Sequence, residues 1–86
     1  MTLADSLRAA RALIEDEAHW TPGCPRWECD EYCIATALRK ADCYGDGSPL
    51  LRRLCGESLV RYNATHSHDE VLGLFDRAIA ASEVGA

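Results

Sequence analysis

The sequence predicts an all-α fold, a compact bundle of four short helices with an ordered Trp/Pro/Cys loop between the first two. Three observations predict it. Apolar residues recur at steps of three and four, the spacing that lines one face of a helix. Two of those stripes are preceded by hydroxyl residues with an acid three positions on, Thr2 with Asp5 and Ser67 with Glu70, the pattern of a capping box. No segment sustains the alternation of a strand, and β-branched residues are scattered. With 86 residues there is material for one hydrophobic core, so residues 1–86 are expected to form a single helical domain.

The first helix is expected over about residues 3–18, with Leu3, Leu7, Ala10 and Ile14 as its stripe and Leu13 widening it. Thr2 is its expected cap, and Asp5 complements the positive end of the helix dipole. From Trp20 to Trp27 the chain reads Trp-Thr-Pro-Gly-Cys-Pro-Arg-Trp, where two prolines and a glycine forbid a continuous helix. The two tryptophans are too large and apolar to stay in water, so this loop should fold back onto the helices.

The second helix is expected to begin after Asp30 and to carry Cys33, Ile34, Ala37, Leu38 and Ala41 on one face, ending near Cys43 or Tyr44. Gly45-Asp46-Gly47 reads as the turn that follows, and Ser48-Pro49 as the cap and first position of a third helix with Leu51, Leu54, Cys55, Leu59 and Tyr62 inward. Ser67, with Glu70 reaching back, opens the last helix over about 68–82, whose arc is Val71, Leu72, Leu74, Phe75, Ala78 and Ile79. The expected core is Leu7, Ile14, Ile34, Leu38, Leu54, Leu59, Leu72, Phe75 and Ile79.

Charge narrows the classes of partner. Nine Lys and Arg against fourteen Asp and Glu give a net charge of −5, which disfavours general attraction to nucleic acid or anionic membranes. Six acids and one arginine fall within residues 15–31, and this run reads as solvated surface in preference to a docking patch for a basic partner. Arg39, Lys40, Arg52, Arg53 and Arg61 are too few and too interspersed with acids for a DNA-recognition helix. No apolar run reaches spanning length, and the first residues do not read as an export signal, so the expected compartment is the cytoplasm.

The order of motifs resembles a known family. Ala9-x-Arg11-Ala12-Leu13-Ile14-Glu15 leads to Trp20-Thr21-x-Gly23, then Cys33-x-x-x-Ala37-Leu38, then Asn63, then Ser67-His68-x-Glu70-Val71-Leu72-x-Leu74-Phe75-Asp76-Arg77-Ala78-Ile79. Together these are similar to a family of small bacterial and bacteriophage proteins of unknown function, which implies a phage-encoded or bacterial setting but no reaction. Members tend to carry Trp-Cys-Ala-x-Gly-Ala where this chain has Tyr32-Cys33-Ile34-Ala35-Thr36-Ala37, and Asn-Asp where it has Asn63-Ala64.

Three residues at the resembling positions, Cys33, His68 and Asn63, are the residue types of a thiol-hydrolase triad and are the catalytic candidates. The competing expectation is a buried cysteine that fills space and a histidine at a helix start. Five cysteines raise the question of metal: Cys24, Cys29 and Cys33 with one histidine form a candidate zinc set. Cys33 and Cys43 cannot both join it if one intact helix separates them by about 15 Å. Trp20, Trp27 and Tyr32 are the candidate interaction residues. Asn63-Ala64-Thr65 spells a glycosylation acceptor but reads as a turn in an unexported chain.

On these grounds the expected function is a small non-enzymatic protein-interaction or regulatory module without cofactor, with a protein partner and a capacity for self-association. The alternatives are a thiol-dependent enzyme built on Cys33 and His68, and a zinc-stabilised binding domain.

Overall fold

The computed structural model describes residues 2–23 and 31–84. Among these, five α-helices carry the fold and no strand forms: α1 (Leu3–Ile14), α2 (Ile34–Lys40), α3 (Tyr44–Cys55), α4 (Leu59–Thr65) and α5 (His68–Val84), with one 3-10 turn at Glu17–His19. The all-α class is therefore as expected, whereas the number of helices is five and not four.

The additional helix comes from one glycine. Gly56 takes φ 75 and closes α3 by donating its N–H to the Arg52 carbonyl at 2.8 Å. A left-handed residue at a helix end stops propagation and turns the chain. Ser58 then starts α4 by accepting from the Arg61 amide at 3.2 Å, so the expected helix from Ser48 through Tyr62 is two helices.

The other boundaries differ from expectation for equally local reasons. α1 stops at Ile14, and Asp16 caps the 3-10 turn by accepting from the Ala18 amide at 2.9 Å. α2 starts after Cys33, because the Tyr32 backbone is already bonded elsewhere, and it ends at Lys40 where Asp42 turns left-handed at φ 58. The Gly45-Asp46-Gly47 run is no turn but the opening of α3, which begins at Tyr44 after Cys43. A Cβ at position 47 would lie 3.2 Å from Leu7 Cδ2 and 3.3 Å from Leu38 Cδ2. The glycine there lets α3 approach α1 and α2; packing, not turn chemistry, uses it.

The two capping boxes form as expected. Asp5 N–H donates to Thr2 Oγ1 at 3.2 Å and Thr2 N–H to Asp5 Oδ2 at 3.4 Å. Glu70 N–H donates to Ser67 Oγ at 3.2 Å and Ser67 N–H to Glu70 Oε1 at 3.0 Å. Bonds from Thr2 and Ser67 to the charged carboxylates hold the Asp5 and Glu70 carboxyls below their ordinary pKa range.

The core lies between α1 and α5, with α3 also on α5 and α2 in contact with α1, α3 and α4. Leu7, Ile14, Ile34, Leu38, Leu51, Val71, Leu74 and Phe75 are fully buried. Two expected core residues, Leu54 and Leu72, are only half-buried at its edge. On α3 the inward face centres on Leu51 and leaves Leu54 at its flank, while on α5 the inward arc centres on Leu74 and Phe75 and leaves Leu72 on its flank. Arg11 joins α1 to α5, its Nε 2.8 Å from Asp76 Oδ1, and Arg8 reaches Glu83 at 2.8 Å. Among the described residues, no helix is long and apolar enough to cross a membrane.

Candidate functional site

The most constrained polar side chain is Asn63, on α4 and 1% exposed. Its Oδ1 accepts from the Trp20 indole N–H at 2.9 Å and from the Ile34 backbone N–H at 3.2 Å, and its Nδ2 donates to the Thr21 carbonyl at 2.7 Å. One amide thus joins α4 to the start of α2 and to the segment after the 3-10 turn. A buried polar group that finds partners for both its ends fixes the relative placement of the elements it bonds.

The same segment is closed from its other side by a single parallel β-bridge between Trp20 and Tyr32. Thr21 N–H donates to the Tyr32 carbonyl at 3.1 Å, and Tyr32 N–H to the His19 carbonyl at 2.7 Å. Residues 20 and 32 are therefore neighbours despite the chain between them, and both side chains are half-buried. Of the two tryptophans expected to fold back onto the helices, Trp20 packs against the core, and Trp27 lies outside the described residues.

His68 opens α5 and bonds across to α1, its Nε2 2.6 Å from the Ile14 carbonyl. That carbonyl is at the end of α1, where helical acceptors lack a partner within the helix. With the carbonyl as acceptor, Nε2 carries the proton and donates. The Trp20 ring packs beside the imidazole, centroids 5.4 Å apart at a tilt of 40°.

Cys33 precedes α2, is buried, and has Thr36 as its hydrogen-bonding neighbour. Cys33 N–H donates to Thr36 Oγ1 at 2.9 Å, and the Thr36 hydroxyl lies 3.1 Å from the Cys33 carbonyl and 3.5 Å from its Sγ. Asn63 bonds the chain one residue beyond, at Ile34, and His68 packs against Trp20, whose indole bonds Asn63. No hydrogen bond joins the Cys33 sulfur to His68 or Asn63 among the described residues: the histidine bonds Ile14, and the asparagine bonds Trp20, Thr21 and Ile34.

Of the candidate zinc ligands, Cys24 and Cys29 lie outside the described residues. Among those described, no group of three or more His, Cys, Asp or Glu side chains is arranged to hold a metal ion. The helix expected to separate Cys33 from Cys43 ends at Lys40, and each cysteine instead precedes a helix, Cys33 before α2 and Cys43 before α3. Burial first, and then Asp42 and Asp46, push the Cys43 thiol above its ordinary pKa, and its Sγ lies 3.7 Å from the Ser6 carbonyl. Cys55 is the more open of the described thiols. The Asn63-Ala64-Thr65 triplet is helical, and its asparagine is sealed in the interior.

Beside the Trp20–Tyr32 bridge the surface dips into an open depression of about 320 Å³, lined by Ala12, Leu13, His19 and Tyr32. Of these only Tyr32 is an expected interaction residue. Leu13 stands at the margin of the α1 stripe, an apolar residue half-buried in a helix that ends one position later. An apolar residue just off the inward face is the one trace of this feature in the sequence. Ala12 and His19 carry no such signal, because the depression arises where the 3-10 turn folds beside α1.

Comparison with curated proteins and with solved structures finds no match. Comparison with family models does, over residues 1–81, and the chain belongs to a family of unknown function, DUF6197.

Proposed function

We propose that this protein is a small non-enzymatic interaction module that holds a protein partner at the depression between the end of α1 and the Trp20–Tyr32 bridge, and that it acts without a cofactor. The observation that carries the reading is the depression itself, open to solvent and lined by Ala12, Leu13, His19 and Tyr32. Asn63 ties Trp20 and Thr21 to the helical body, and their backbone neighbours His19 and Tyr32 are bonded to each other in the bridge, which supports a preorganised surface on that side. The hydrogen bonds of Cys33, Asn63 and His68 to neighbouring backbone and to Thr36 and Trp20 support the same reading, since a structural role accounts for each.

The test is site-specific photo-crosslinking in living cells, with the reactive group at Ala12 in the depression and, as control, at exposed Ala80 on α5. The reading expects a discrete protein adduct from position 12 that is lost in Ala12→Arg delivered with the crosslinker at His19. Equal adducts from both positions, or none from position 12, overturn it.

A further inference from the structure

We infer that the occupant of this depression is a cationic segment of a partner protein, carrying one aromatic or long aliphatic side chain between lysine or arginine residues. The inference rests on the interaction reading above and adds the chemistry of the partner.

Size and lining argue for a side chain as the buried element. About 320 Å³ lies at the lower end of the range for small-molecule sites, and such sites bury most of their ligand in a cleft. This depression is open, with the Ala12 methyl, the Leu13 side chain and the Tyr32 ring offering apolar contact on one flank of the domain. It suits an anchor residue that fills a shallow socket while its neighbours stay at the rim, the usual division of labour at protein interfaces.

The exposed, described residues next in sequence to the lining ones carry one sign of charge. Glu15 follows α1, Asp16 and Glu17 begin the 3-10 turn, and Glu31 adjoins Tyr32; all four are exposed. The described residues 12–23 and 31–38 contain these four acids and no lysine or arginine. Arg11, next along α1, is directed to Asp76 at 2.8 Å and to Glu15 at 3.1 Å, so it neutralises only one of these carboxylates in part. A partly apolar socket whose charged neighbours in sequence, among the described residues, are mostly acidic selects against acidic segments and nucleic acid, and speeds the approach of basic ones. Asp16 accepts from the Ala18 amide at 2.9 Å, which fixes its side chain at the start of the 3-10 turn.

The experiment uses the full chain and three fluorescein-labelled peptides: Lys-Lys-Leu-Trp-Lys-Lys, and the same peptide with all lysines replaced by glutamine or by glutamate. Fluorescence anisotropy reads affinity, and amide chemical shifts of Leu13, His19 and Tyr32 report the location. The lysine peptide is expected to bind at least about tenfold more tightly than the glutamine peptide, and the glutamate peptide not at all. The triple variant Glu15→Gln, Asp16→Asn, Glu17→Gln, which keeps hydrogen-bonding groups and removes charge, should erase that tenfold preference. Ala12→Arg, whose long side chain obstructs the socket from an exposed position, should weaken both binding peptides. Equal binding of the lysine and glutamine peptides at these residues overturns the cationic inference and leaves the interaction face standing. Lysine-peptide binding that shifts only residues elsewhere overturns the inference too. A position 12 without any protein adduct in cells removes the face itself. Sedimentation of the free chain completes the test: a concentration-dependent dimer blocked by Ala12→Arg would make a second copy the occupant and overturn the peptide reading.

Discussion

The Trp20 indole N–H donates to Asn63 Oδ1 at 2.9 Å, across 43 positions of sequence, and by that bond a segment with no regular structure of its own is held against α4. Asn63 is otherwise surrounded by the apolar interior and spends its remaining bonding capacity on Thr21 and Ile34.

Replacing that amide should be expensive. Asn63→Ala removes acceptors from two N–H groups and a donor from one carbonyl, and unsatisfied buried groups cost about 1–3 kcal/mol each when water cannot reach them. Trp20 and Thr21 are half-exposed and regain some solvation, so the expected loss of stability is about 3 kcal/mol. Urea unfolding monitored by circular dichroism measures it; a loss within error of zero would show the amide to be dispensable.

Two glycines, Gly56 and Gly73, should respond in opposite directions to the same substitution. A methyl group added at either position would meet no atom within 4 Å, so sterics with neighbours cancel and backbone conformation decides. Gly56→Ala forces a side chain into φ 75 and should cost about 1 kcal/mol. Gly73→Ala lies inside α5 and should stabilise by about 1 kcal/mol through helix propensity. Thermal unfolding of the pair gives the answer, and shifts of the same sign would contradict the assignment of Gly56 as the end of α3.

Thiol reactivity should follow burial. In single-cysteine variants that retain Cys33, Cys43 or Cys55, alkylation of the native protein near neutral pH is expected to be fastest at Cys55 and slow at the two buried positions. Cys43 should remain slow as pH rises past the ordinary thiol range, because burial and two nearby carboxylates disfavour its thiolate. Rapid labelling of Cys33 at neutral pH would instead favour a thiol enzyme centred on Cys33 and His68.

The acid limb of stability should depend on the capping boxes. The folded-state pKa of Glu70 is depressed, so its contribution is complete above the ordinary glutamate range and is lost as pH falls through the folded value. Asp5 behaves in the same sense. Glu70→Ala should therefore lower stability at neutral pH and flatten the decline in melting temperature between roughly pH 5 and 2. An acid limb of unchanged slope would remove Glu70 from the account.

How much of this is legible in the sequence depends on the range of the interaction concerned. The all-α class, the Thr2–Asp5 and Ser67–Glu70 caps and the buried arc of α5 are set by residues three or four positions apart, and a local pattern suffices to read them. Glycines are harder. Gly56 falls inside the one helix that apolar spacing predicts from Ser48 to Tyr62 and is the boundary between two, while Gly45 and Gly47 read as a turn and are helical. A glycine permits a left-handed residue and a close approach alike, and which of the two it serves is decided by what packs against it.

Asn63, Cys33 and His68 stand out by residue type, yet only the folded chain fixes what each bonds. Their partners come from distant parts of the sequence, Trp20 for Asn63 and Ile14 for His68, and hydrogen bonds at that separation leave no periodicity behind. Residue spacing alone determined that this protein is helical and where its apolar stripes run. Tertiary structure alone decided that α1 and α5 face each other, that one buried amide gathers three segments, and that a socket opens beside Tyr32, because each depends on shape and pairing between elements remote in sequence.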